Sequence, residues 1–149
     1  MKKEASLSII EDSKTRKVLM IRNHRGINKG CVNFPGGKKE QNETMQECVC
    51  RETLEETGLK IENPIQVGYV EFPKFDFFVS IFKSTKFSGT LIENQQEVEA
   101  FWVDLDKIPY DQMRAADRDF VPDILKGKYV KRQYVYDENF SLKNIIEIE

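Results

Sequence analysis

Three glutamates, Glu52, Glu55 and Glu56, stand at i, i+3 and i+4 within the run from Thr44 to Gly58. At about 100° per residue, this spacing puts all three carboxylates on one side of a helix. It also places them in the sector of Met45, Cys48 and Val49, the apolar residues expected to face a core. Carboxylates arranged this way repel one another, and taking an unpaired one out of water is costly. A hard cation among them relieves both costs, because magnesium takes oxygen ligands and keeps part of its hydration shell. The competing reading is an acidic helix side that simply faces solvent. Alignment with the apolar positions favours the metal, as does the Gly36-Gly37 pair just upstream. Two glycines after Pro35 mark a backbone that turns tightly or lets another group come close.

The elements that must position these residues follow from pattern. Thr44 and Glu47 have capping-box spacing and Gly58 is a natural C′ residue, which predicts a helix between them. Upstream, residues 5–11 and 17–22 read as strands around the polar turn 12–16, followed by a glycine-bearing loop to Gly37. Downstream, residues 65–72, 75–82 and 98–103 read as strands, with Pro73-Lys74 in the first connection. A short helical turn over 104–108 stops at Pro109. Phe120, Val121, Ile124 and Leu125 form a helical stripe, with Pro122 expected in the first turn. Closing strands are expected at 129–136 and 140–148, around Asp137-Glu138-Asn139. The interleaving predicts an α+β chain, an α/β/α sandwich around a mixed β-sheet. Without repeats or linkers, it reads as one domain over residues 1–149.

Composition narrows the function classes. The net charge of −2, from 25 acidic and 23 basic residues, gives no general attraction to polymeric nucleic acid or to a membrane. Lys126, Lys128, Lys131 and Arg132 are expected on the solvated side of a C-terminal strand. No apolar stretch approaches the ~20 residues that span a bilayer, and the N-terminus lacks the apolar run of a signal peptide. Cys31, Cys48 and Cys50 are odd in number and lack CxxC spacing, so reduced thiols and a cytoplasmic location are expected, with no zinc site.

The segment Gly37-(five residues)-Glu43-(seven residues)-Arg51-Glu52-Thr53-Leu54-Glu55-Glu56-Thr57-Gly58-Leu59 resembles the Nudix box. It departs only at Thr53, where that family carries an aliphatic residue. The resemblance implies a Nudix fold in which box and flanking loops hold Mg²⁺, with Mn²⁺ as a substitute. The implied metal ligands are Glu52, Glu55, Glu56, the carbonyl of Gly36, and one carboxylate from a strand outside the box. Glu97 matches that last residue best, with Glu93 and Glu99 as competitors. Glu43 and Arg51 resemble the pair that orients the glutamates. Glu52, Glu97 and Arg51 are therefore the catalytic candidates, with either Glu52 or Glu97 as general base. The implied reaction is water attack on phosphorus, without a cysteine or serine nucleophile.

Arg25-Gly26, Gly30, Asn33, Gly36-Gly37-Lys38 and the segment from Trp102 to Tyr110 are similar to the MutT-type subgroup, which hydrolyses oxidised purine nucleoside triphosphates. That likeness implies a small nucleotide substrate such as 8-oxo-dGTP, cleaved to monophosphate and pyrophosphate, and a role in nucleotide-pool sanitation and DNA damage prevention. It makes Asn33, Gly37, Lys38 and Asp117 the substrate-binding candidates, although Asn33 also suits a turn-forming role. Arg114 and Ala116 depart from the subgroup, where a stacking tryptophan and the first of two aspartates are expected. His24 reads as a loop residue and Trp102 as core. Phe72, Phe75, Phe77, Phe78 and Phe82 read as sheet packing, with one or two facing a base pocket. The alternatives are the same chemistry on ADP-ribose, a nucleotide sugar or a dinucleoside polyphosphate, and a non-catalytic binding module. Pro73 keeps the first open; the complete set of box glutamates weighs against the second. Oligomeric state is not legible in the sequence.

Overall fold

The strand Lys3–Asp12 (β1) organises the molecule because both of its faces are buried. Ala5, Leu7 and Ile9 join the core cluster on one side, while Ile10 joins a second cluster on the other. In the computed structural model, which describes residues 2–92 and 97–149, β1 turns at 12–16 into Lys17–Asn23 (β2). Its ladder with β2 is short, Glu11 to Val18 and Asp12 to Lys17. Nearer its start, β1 pairs antiparallel with Gly36–Lys38 (β4), the short strand after Val32–Asn33 (β3). This change of partner brings the two glycines onto the central strand.

The remaining strands are Leu59–Glu62 (β5), Ile65–Phe72 (β6), Phe77–Ser84 (β7), Lys86–Gly89 (β8), Val98–Asp104 (β9), Val130–Tyr136 (β10) and Leu142–Glu147 (β11). The main sheet runs β11-β10-β6-β7-β1-β2-β3, with β4 added to β1 and β9 to β2. Pairing is parallel at β1–β7 and β6–β10 and antiparallel elsewhere, so the sheet is mixed as expected. β5 and β8 form a separate two-stranded ribbon.

One helix lies on each face. Met45–Thr57 (α1) starts at a complete capping box: Thr44 Oγ1 accepts from the Glu47 amide, and the Glu47 side chain accepts from the Thr44 amide. It stops at Gly58, whose φ of +82° suits glycine and where a Cβ would lie 2.4 Å from the Thr90 carbonyl. Val49 packs with Ile10, Leu19, Leu59, Ile61 and Phe82. On the other face Ala115–Leu125 (α2) sets Phe120, Val121 and Ile124 against Leu7, Val70 and Ile81. These layers form the expected α/β/α sandwich. Among the described residues, no helix is long and apolar enough to cross a membrane.

Several expectations need correction. The apolar stripe of α1 does not turn acidic; it continues through Thr53 and Thr57, both buried, with Glu52 and Glu56 half-buried on its flank and Glu55 exposed. Two threonines extend the stripe because their methyl groups pack as aliphatic surface. Pro122 lies in the later part of α2 rather than its first turn. Without an amide at 122, α2 gives up the internal bond to the Arg118 carbonyl four residues earlier. Arg132 is not on a solvated side. It is 5% exposed and donates to Asp119 (3.0 Å), Asp123 (2.5 Å) and Glu147 (2.6 Å), tying β11 and α2 to β10. Residue 140 is not in the last strand, which begins at Leu142. β3, β4, β5 and β8 were too short, or too rich in glycine, to signal themselves.

Thr53 carries the one departure from the box. Its hydroxyl is fully buried and has no hydrogen-bond partner among the described residues. Thr57, one turn on, donates to the Thr53 carbonyl (2.6 Å) and accepts from the Leu59 amide (3.1 Å). Burying an unpaired hydroxyl costs stability, whereas a shared one contributes it. Thr53→Val should therefore raise the unfolding free energy by about 1 kcal/mol, and Thr57→Val should lower it by about 1–3 kcal/mol. Urea denaturation of both variants checks this, and a destabilised Thr53→Val would contradict it.

Candidate active site

Arg51 is the hub of the site. Its guanidinium donates twice to Glu43, at 3.0 and 2.8 Å, and through Nη1 to Glu52 at 2.9 Å and Glu55 at 3.3 Å. It also donates to the Lys38 carbonyl at 3.0 Å and pairs with Glu40 at 3.3 Å. Such a two-pronged pair is stronger and better oriented than a loose surface contact. The Arg51 hydrogen bonds, with the Glu40 amide, hold the Glu43 carboxyl down at about 2. Glu43 in turn pushes the guanidinium well above its ordinary range. Arg51 was expected among the catalytic residues; like Glu52, Glu55 and Glu97 it is not part of the cavity lining described below, which Gly36 and Glu56 reach. Its contacts orient the carboxylates of Glu43, Glu52 and Glu55.

The Gly36-Gly37 pair of β4 lies tightly against β1 on one side and α1 on the other. A Cβ on Gly36 would lie 2.0 Å from the Ser6 carbonyl oxygen, and one on Gly37 would lie 2.3 Å from the Glu52 carboxyl carbon. Only glycine fits at Gly36, where the obstacle is backbone; at Gly37 a side chain would have to displace the Glu52 carboxylate. The Gly36 amide donates to Glu56 at 2.7 Å, and the Gly37 carbonyl accepts from the Cys48 thiol at 3.5 Å. Loop, central strand and helix are thereby locked in register.

The metal ligands expected were Gly36, Glu52, Glu55, Glu56 and Glu97. Among the described residues, no three acidic, histidine or cysteine side chains converge to hold an ion. The reason is local: Glu52 and Glu55 turn toward Arg51, and Glu56 turns toward the Gly36 amide. Glu97 is exposed immediately before β9, and its carbonyl accepts from the His24 amide at 2.8 Å. Of its competitors, Glu99 is exposed on β9 and Glu93 lies outside the described residues. The donors at the loop–helix junction nevertheless suit a hard divalent cation, since all are oxygen. Burial pushes the Glu56 carboxyl up to about 7, against the lowering effect of the Gly36 amide, and the Glu52 and Glu55 charges add to the rise. A divalent cation reverses that balance.

A cavity of about 730 Å³ opens on the α2 side of the sheet. Gly36, Gly37 and Glu56 line it, and so do Asn33 and Asp117. Val70, Phe72, Phe77, Phe120 and Tyr136 supply apolar wall. Asn33 Oδ1 accepts from the Phe34 amide at 2.8 Å, so the residue serves the turn and faces the cavity at once. Burial pushes the Asp117 carboxyl up to about 6, partly offset by Arg114. Arg114 bonds to the Ile27 carbonyl and the Asn28 side chain across the opening.

Lys38, expected to bind substrate, is exposed and off the cavity; only its carbonyl is used, by Arg51. Phe72, Phe75 and Phe77 line the cavity, whereas Phe82 packs under α1. Trp102 packs on Phe87 in the same layer, as expected of core. The sequence reading missed Tyr136 and Phe140 as lining residues. Alternation along β10 offered a weak signal for the first, and nothing local signalled the second.

Residues 1–124 match the NUDIX domain family. An oxidized purine nucleoside triphosphate hydrolase from Danio rerio is 34% identical over 119 residues, spanning 75% of this chain and 74% of the relative. An ADP-ribose pyrophosphatase from Methanocaldococcus jannaschii is 35% identical over 100 residues, spanning 64% of this chain and 59% of the relative. The crystal structure of a MutT protein from Bacillus halodurans superposes with a TM-score of 0.81 at 25% identity, covering 96% of this chain and 95% of that one.

The raised Glu56 carboxyl sets a sign for stability without metal. Its folded-state value of about 7 lies above the ordinary 4.5, so the fold binds this proton more tightly than the unfolded chain. Stability from this group is intact below about pH 4.5 and is lost as pH rises through about 7. Glu56→Gln keeps an acceptor for the Gly36 amide and removes the charge. In chelator, the variant's melting temperature should exceed the wild type's at pH 8 and converge with it near pH 4.5. A constant difference across that window would contradict the burial argument.

Proposed function

The chain belongs to the Nudix family and is a Nudix pyrophosphohydrolase, and we propose that it cleaves a purine nucleoside triphosphate to monophosphate and pyrophosphate. An oxidised purine such as 8-oxo-dGTP is the preferred substrate in this reading, which makes the enzyme a sanitiser of the nucleotide pool. One observation carries it: a single cavity joins Glu56 and Gly36-Gly37 to Asn33 and Asp117. Phosphates at the first pair and a base at the second fit one nucleotide.

Glu52, Glu55, Glu56, the Gly36 carbonyl and Glu97 are the proposed oxygen donors for Mg²⁺ or Mn²⁺, which when bound offsets charge on phosphate oxygens and acidifies water. The chain's own groups do the rest. Gly36 and Gly37, lacking side chains, let β4 lie directly against the Ser6 carbonyl and the Glu52 carboxylate, which keeps the phosphate end of the cavity next to the glutamates. Arg51 holds Glu52 in place, so that one orientation of its carboxylate persists. The proton released as water attacks phosphorus passes to Glu52 or Glu97. Asn33 and Asp117 offer hydrogen bonds to a purine edge, and each buried group left unpaired by a wrong base costs about 1–3 kcal/mol.

Identity to the Methanocaldococcus jannaschii ADP-ribose pyrophosphatase supports a second reading, the same chemistry on ADP-ribose. The two separate in one panel: kcat/KM for 8-oxo-dGTP, dGTP, dATP, dCTP and ADP-ribose at one Mg²⁺ concentration. Oxidised purine should lead, and Asn33→Ala and Asp117→Ala should raise KM and erode base preference more than they lower kcat. ADP-ribose in the lead, or pyrimidines equal to purines, would overturn the triphosphate reading and leave the family chemistry standing.

A further inference from the structure

The β10–β11 hairpin holds Phe140 in a conformation that costs stability. Its φ is +62°, in the left-handed region that bulky side chains disfavour, and the residue is 67% exposed. The hairpin turn sets this conformation, since the Asp137 amide donates to the Ser141 carbonyl at 2.9 Å and Phe140 occupies the left-handed position that closes such a loop. The turn does not, however, call for an aromatic side chain there. The turn is shaped by Asp137, whose carboxylate accepts from the amides of Asn139 (2.8 Å) and Ser141 (3.0 Å) and pairs with Lys143 at 3.5 Å. The Phe140 amide donates to the Asp137 carbonyl at 3.1 Å. The Phe140 ring stacks on Phe75, with centroids 6.1 Å apart and planes 16° apart, and Lys74 Nζ sits 5.1 Å from its centroid. Phe75 meets Tyr136 edge-on at 5.4 Å. All three rings line the cavity that reaches Asn33 and Asp117.

Resting on the nucleotide reading above, we infer that Phe140 is a specificity-determining wall of the base site, closing its outer side together with Phe75. A planar base in the cavity gains ring contact and apolar cover from this pair, whereas a phosphate chain at Gly36-Gly37 gains neither. The turn alone would favour asparagine or glycine at this position; a large, mostly exposed ring that lines the cavity fits a binding role better than a packing one.

The test uses Phe140→Asn, because asparagine tolerates a left-handed backbone and so preserves the turn. Steady-state kinetics are measured on dGTP and on 2-deoxyribose 5-triphosphate, which lacks a base, alongside melting temperature. Expected are an unchanged or higher melting temperature, a KM for dGTP raised about 3–10-fold, and kcat within about twofold. KM for the base-free triphosphate should not move, and Phe140→Tyr, which keeps the ring, should behave as wild type. A lower melting temperature with KM unchanged for dGTP would show a merely structural role and overturn the inference. Equal KM values for the two substrates in the wild type would overturn the nucleotide reading, and this inference with it.

Discussion

One guanidinium bridges four carboxylates, and the geometry of the site depends on those bridges. Glu40, Glu43, Glu52 and Glu55 all reach Arg51. Without it, the acidic turn of α1 would repel itself and the loop that carries Gly36-Gly37 would lose its anchor at the Lys38 carbonyl. The pair with Glu43 is mostly shielded from water, so solvent screens it less than an exposed ion pair. Glu56 is held differently, by the Gly36 amide, and faces the cavity with a raised proton affinity. The same helix thus carries carboxylates tied to a cation of the protein's own, Glu52 and Glu55, and one whose charge the protein leaves costly.

The sheet turns these bridges into a site. Because β1 leaves β2 after two pairs and takes β4 as neighbour, the glycine pair is bound to the central strand and to α1 at once. β6, β7 and β10 lie on the other side of β1 and carry Val70, Phe72, Phe77 and Tyr136 into the cavity wall. α2 brings Asp117 from the opposite layer. Chemistry and recognition therefore come from different elements, which is how relatives with one fold can act on different substrates.

The box was legible because its residues answer to local rules. A capping box, a C′ glycine and glutamates at fixed spacing depend on few distant contacts, so α1 and its boundaries followed from sequence. Asn33 and Asp117 were named through resemblance, and the structure brings both to one cavity. What stayed hidden depends on tertiary partners. Arg132 looked like part of a basic surface because Asp119, Asp123 and Glu147 reach it only once α2 and β11 are in place. Thr53 and Thr57 masked the buried stripe, since a polar residue type conceals an apolar face. Lys38 was expected to bind substrate through resemblance; the structure shows its carbonyl holding Arg51, a contact that residue type does not signal.

The most direct test follows the products of a purine nucleoside triphosphate by ³¹P NMR, with Mg²⁺ and with excess chelator, for the wild type, Glu52→Gln and Glu56→Gln. Expected are nucleoside monophosphate and pyrophosphate in equal amounts with Mg²⁺, no turnover in chelator, and kcat lowered by at least ~10²-fold in each variant. Nucleoside diphosphate and orthophosphate as products, undiminished turnover in chelator, or near-normal rates in either variant would contradict a metal-assisted diphosphatase built on these glutamates.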